Sequence, residues 1–105
     1  MSPATVNVAL PQDIRLRFYR GDDMTFTFAA TGSLTGQTLA AQVYDGGYNP
    51  VGNPMTVTVA GQNVTCHLAA ADSAQVPPVG WWDCRATTAA GAVTTLAAGQ
   101  VRTLP

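Results

Sequence analysis

The stretch DIRLRFYRGDDMTFTFAA, residues 13–30, alternates in hydropathy on both sides of a glycine. Ile14, Leu16 and Phe18 share one face of an extended chain, and Arg15, Arg17 and Tyr19 share the other. Beyond Arg20-Gly21-Asp22-Asp23, the apolar Met24, Phe26 and Phe28 alternate with Thr25 and Thr27. Period-two alternation around glycine-aspartate punctuation predicts two strands, each with one buried face, joined by a tight turn.

Working outward, the same alternation recurs. Leu39, Ala41 and Val43 fall opposite Gln42 and Tyr44, and a loop over residues 46–54 follows, with three glycines and two prolines. Residues 55–59, MTVTV, and then Val64, Cys66 and Leu68 read as two strands joined by the hairpin-length Ala60-Gly61-Gln62-Asn63. Residues 69–76, AAADSAQV, break the alternation and predict one or two helical turns stopped by Pro77-Pro78. Trp82, Cys84 and Ala86 then alternate with Trp81, Asp83 and Arg85. After a turn at Ala90-Gly91 the chain closes on a long strand, in which Gly99 marks a bulge or kink. Phe26, Phe28, Val57, Val64, Leu68 and Trp82 are expected in the core.

The N-terminal segment stands apart. Val6, Val8 and Leu10 want burial, yet Pro3 and Pro11 bracket them, and proline supplies no ladder donor. Residues 1–12 are read as an extended arm reaching about 35 Å, docked on a neighbouring subunit, or as a first edge strand of the same domain.

At 105 residues this is one domain, able to bury roughly two-thirds of its unfolded surface. Charged residues make up 10%, against the usual ~25%. All five basic residues are Arg and all six acidic ones Asp, so the strong helix formers Lys and Glu are missing from the surface. A net charge of −1 offers no grip on nucleic acid or an anionic membrane. A surface so poor in charge is weakly protected against association. That fits a surface covered by a partner, and it fits equally a genomic bias toward Ala, Gly, Thr and Arg codons. No signal peptide pattern and no membrane-spanning apolar run is present. About seven short strands with one helical turn near 69–76 predict an all-β, single antiparallel β-sandwich over residues 13–105.

Three stretches carry a family resemblance: the strands flanking Arg20-Gly21-Asp22 with Phe26 and Phe28, the helical turn LAAADSAQVPPVG leading into WWDCRAT, and the closing TTAAGAVTTLAAGQVRTLP. In this order they resemble the immunoglobulin-like β-sandwich modules of tailed-bacteriophage virions, such as the N-terminal domains of upper baseplate proteins and small head or tail accessory proteins. Two positions depart from the pattern. Ala69 stands where a helix-capping Ser or Thr is common, and Cys84 where an aliphatic residue is.

Chemistry is sparse. His67 is the one histidine, and its neighbour Cys66 points to the opposite face of the strand, a poor geometry for a dyad. No His or Cys spacing matches zinc. Asp22-Asp23 followed by Asp45 suggests calcium, which wants six to eight oxygen ligands, but two adjacent aspartates in a turn are more often turn formers. Arg20-Gly21-Asp22, the tripeptide of integrin ligands, supplies what a strand-to-strand turn needs. Asn63-Val64-Thr65 fits a glycosylation acceptor but lacks a secretory signal. Cys66 and Cys84 are expected on inward faces and unbridged in a reducing cytosol, with their contact left open by the sequence. Of Trp81-Trp82 one faces the core and one faces out. The outward Trp81 is either an interface anchor or lies under the Pro77-Pro78 loop.

No catalytic residue, metal or cofactor is expected, and no nucleic-acid or membrane partner. What the resemblance implies is a multicopy or homo-oligomeric structural virion protein held by protein–protein contacts, assembled in the host cytoplasm. Because the chain ends where its sandwich ends, the first expectation is a capsid decoration protein bound to the phage major capsid protein. A baseplate or tail attachment module is the alternative, and a carbohydrate-binding sandwich using Trp81, Tyr44 and Tyr48 is the third. Candidate partner-binding residues are Val6, Val8, Leu10, Tyr48 and Trp81.

Overall fold

The structure, a computed structural model, describes residues 12–105. The expected arm or edge strand with Val6, Val8 and Leu10 lies outside the described residues. Eight strands and one helical turn follow: β1 (Gln12–Asp13), β2 (Leu16–Tyr19), β3 (Met24–Ala29), β4 (Thr38–Tyr44), β5 (Thr56–Ala60), β6 (Asn63–Leu68), α1 (Ala70–Ser73), β7 (Val79–Thr87) and β8 (Val93–Leu104). They form two sheets. One runs β1-β8-β7-β4, with β2 continuing β1 along the same edge of β8, and the other runs β3-β6-β5. This is the all-β sandwich the alternation predicts.

Two expectations need correction. β2 and β3 do not pair with each other, because the turn at residues 20–23 carries the chain from one sheet to the other. β2 instead lies along β8, and both β1 and β2 run parallel to it, so the sandwich is mixed rather than wholly antiparallel. The reason lies in the turn. Alternation fixes which face of a strand is buried but not which neighbour supplies its hydrogen bonds, and a strand that hands over to the opposite sheet is free to pair with the end of the chain.

The core gathers Leu16, Phe18, Phe28, Val43, Val64, Leu68, Trp82 and Val101 between the sheets. Trp82 is its centre. Phe26 meets it edge-on at 4.9 Å between ring centroids, and Phe28 at 6.2 Å. Phe26 and Val57, expected to be buried, are only half-buried. Phe28, on the same strand and face as Phe26, is buried, so the core does not reach equally deep all along the strand.

Trp82 also explains Gly99. The indole Nε1 donates to the carbonyl of Ile14 at 2.7 Å, in the gap between β1 and β2. A Cβ on Gly99 would overlap that same carbonyl oxygen. Glycine is therefore required by close approach, in a residue paired directly with Trp82. The register shift that the sequence placed at Gly99 lies instead between Cys84 and Arg85 of β7.

The short helix has no cap of its own, since Ala69 has no side-chain acceptor. The β2–β3 turn supplies one: the Ala70 amide donates to Asp23 Oδ1 at 2.9 Å, and the Gly21 amide to Ser73 Oγ at 2.8 Å. Arg20-Gly21-Asp22-Asp23 is thus a turn stapled to α1, which fixes the crossing between sheets. Among the described residues no helix is long and apolar enough to cross a membrane.

Candidate functional site

The outer face of the larger sheet carries the polar and aromatic residues that the core rejects. Its register sets them in rows. Tyr44 of β4 lies opposite Trp81 of β7, and Trp81 opposite Gln100 of β8. The parallel pairing of β1 and β2 with β8 places Arg15 beside Gln100, and Arg17 opposite Arg102, which faces Val79. A further row sets Gln42 opposite Asp83.

Tyr48 closes over this face from the loop between β4 and β5. Its ring stacks on Trp81, centroids 5.6 Å apart and planes within 6°, and lies 6.3 Å from Tyr44. The stack is held by an unusual backbone. Tyr48 has φ 62°, the left-handed region that a side chain rarely adopts. Asp45 holds it there. Its Oδ1 accepts from the Gly47 amide at 2.8 Å and the Asn49 amide at 3.0 Å, while its carbonyl accepts from the Tyr48 amide at 3.0 Å. The Asn49 amide above all, with Gly47, keeps the Asp45 carboxyl below its ordinary pKa. Beneath, Gly80 lets β7 approach the end of β4, where a Cβ would overlap the Tyr44 carbonyl.

Polar groups then tie the aromatic pair to the sheet. The Tyr44 hydroxyl donates to Asp83 Oδ1 at 3.2 Å, and Arg85 Nη2 reaches Asp83 Oδ2 at 3.0 Å. Burial first, and the Asp83 carboxylate second, push the Tyr44 phenol above its ordinary pKa. On the other side of Trp81, Arg15, Leu16, Arg17, Gln100 and Arg102 line a cleft of about 360 Å³.

Trp81 is therefore not bare. It is half-buried under Tyr48, and Tyr48, 64% exposed, is the ring that meets solvent. Tyr44, Tyr48 and Trp81 come together as one cluster. Asp83, Arg85, Gln100 and the three cleft arginines join them, and nothing in the sequence alone singled these out. The outward set Arg15, Arg17 was visible as alternation, but its neighbourhood depended on the parallel register with β8.

The remaining polar chemistry lies elsewhere. His67 Nε2 is 3.5 Å from Asp23 Oδ1 at the foot of α1. Cys66 and Cys84 are free and fully buried, their thiols in contact between the sheets. That contact, followed by burial, pushes the Cys84 thiol up. Among the described residues no group of three or more His, Cys, Asp or Glu side chains is placed to hold a metal ion. No protein-family model matches the chain, and no curated protein matches its sequence.

Proposed function

We propose that this chain is a structural module of a tailed-bacteriophage virion, seated on a neighbouring virion protein through the outer face of its larger sheet. The capsid surface, as a decoration protein, is the first position to test, and the tail baseplate the second. The observation that carries an attachment role is the Tyr48–Trp81 stack. An exposed aromatic ring held in a left-handed backbone by three hydrogen bonds is a rigid anchor whose ordering cost has already been met by the fold. The virion setting rests on the resemblance of the three stretches named above, and the all-β sandwich described supports it at the level of fold alone.

Quantitative mass spectrometry of purified particles tests the setting. The chain should copurify at a fixed ratio to the major capsid protein: one of order unity for a decoration protein, far lower for a tail ring. Its absence from particles would overturn the reading. A second reading, a carbohydrate-binding sandwich, is favoured by the same gathering of Tyr44, Tyr48 and Trp81 beside Asp83 and Arg85. Glycan-array binding by the isolated chain that disappears in Trp81→Ala would support it.

A further inference from the structure

The cleft beside Trp81 is the place where this chain spends most of its positive charge. It has five basic residues, all arginine, and three of them, Arg15, Arg17 and Arg102, line one cleft of about 360 Å³ together with Gln100. Arg85 is taken by Asp83. Among the described residues no carboxylate lies within 4.0 Å of Arg15, Arg17 or Arg102, so three guanidinium groups repel one another around a solvent-filled recess. Such an arrangement is unfavourable in isolation and is relieved by an anion.

We propose that the cleft lined by Arg15, Arg17, Gln100 and Arg102 is an anion site that takes the carboxylates of a short acidic segment of the partner protein. Guanidinium forks match carboxylates in paired, parallel hydrogen bonds. The Gln100 amide adds a donor and an acceptor for the backbone of such a segment. The site is short by construction. Asp13 lies two residues before Arg15, in the row next to that of Arg15 and Gln100, so negative charge bounds one end of the recess and disfavours a polyanion that runs on past it, such as a nucleic-acid backbone. Gln100 lies opposite Trp81, so the next residue of the bound segment meets the Tyr48–Trp81 stack. The segment expected is therefore acidic residues followed by an apolar or aromatic one. This inference builds on the attachment reading and specifies the chemistry of the partner.

The probe is a synthetic tetra-aspartate-tryptophan peptide, blocked at both ends, with a tetra-asparagine-tryptophan peptide as control. Both are titrated into the whole chain and followed by NMR at the arginine Nε–H and glutamine side-chain resonances. Saturable shifts are expected at Arg15, Arg17, Arg102 and Gln100, with a Kd of about 1 mM or tighter, and little shift at Arg20. Arg17→Gln combined with Arg102→Gln should weaken binding by about tenfold or more, and salt should weaken it further. All three arginines are exposed, so these variants should keep the wild-type melting temperature. Equal response to the asparagine peptide, or shifts spread evenly over all five arginines, overturns the proposal. So does tighter binding of a sulfated oligosaccharide than of the acidic peptide, which would assign the cleft to a glycan. If the peptide fails while the chain is still found on particles, the anion site is wrong and the attachment reading stands. If the chain is absent from particles while the peptide binds, the reverse holds.

Discussion

Trp82 and Gly99 are coupled through one carbonyl, and the coupling is measurable. Trp82→Phe removes the indole N–H that reaches the Ile14 oxygen at 2.7 Å. Leaving that acceptor without its partner costs about 1–3 kcal/mol, and the lost ring atoms, at about 0.8 kcal/mol per buried carbon, bring the total to about 3–4 kcal/mol. In a domain of this size that lowers the melting temperature by roughly 12–30 °C. Gly99→Ala drives a Cβ into the same oxygen, an overpacking that costs about 1–3 kcal/mol. The two losses should not add. Once the indole is gone, the Ile14 carbonyl has no donor holding it under Gly99 and can turn away from the new methyl group. The double variant should then be more stable than the sum predicts by about 1 kcal/mol or more. Urea unfolding followed by circular dichroism supplies all four corners of the cycle, provided the slope of stability against urea is shared. Additivity within about 0.5 kcal/mol would refute the reasoning.

Three further outcomes are expected. Asp23→Ala removes the acceptor of the Ala70 amide and should destabilise the domain by about 0.5–2 kcal/mol, with Asp23→Asn recovering most of the loss; equal stability of all three forms, measured by thermal melts, would contradict the capping role. The Asp45 carboxyl is held below its ordinary pKa by the Asn49 and Gly47 amides, so its contribution is complete above the usual carboxylate range and is lost as pH falls through its depressed value. The NMR resonances of the Tyr48 ring in the wild-type chain should therefore report release of the stack on Trp81 only on the acid side of that range, and resonances unchanged in acid would contradict the loop account. Cys66 and Cys84 are buried and in contact, and both should label fully in protein unfolded under conditions that block oxidation; finding no free thiol would show a bridge instead.

The limits of the sequence reading follow from what alternation encodes. Leu16, Phe18, Phe28, Val64, Leu68 and Trp82 were assigned inward from period two alone, and each is buried. Phe26 and Val57 follow the same pattern and face the same way but are only half-buried, although Phe28 of the same strand as Phe26 is buried; alternation fixes the face a side chain takes and not how deep along the strand the core reaches. The turn at residues 20–23 was legible from Gly21 and its aspartates, whereas its crossing between sheets depends on α1, reached through Asp23 and Ser73 from some fifty residues away. Within the candidate site, Tyr44, Tyr48 and Trp81 stood out as aromatics. Their convergence depends on the left-handed backbone at Tyr48, which a tyrosine in a glycine-rich loop does not announce. The arginine cleft was the least legible part, because Arg15 and Arg102 meet only through a parallel pairing of the first and last strands.

The attachment claim is tested most directly by electron cryomicroscopy of the parent particle at a resolution that shows side chains. Density for the sandwich should lie on a neighbouring virion protein, over capsomers or in a ring at the tail, with Tyr48 and Trp81 buried in the contact and the cleft of Arg15, Arg17 and Arg102 facing it. A particle without this chain, or one that holds it by the smaller sheet with Tyr48 left in solvent, would contradict the account.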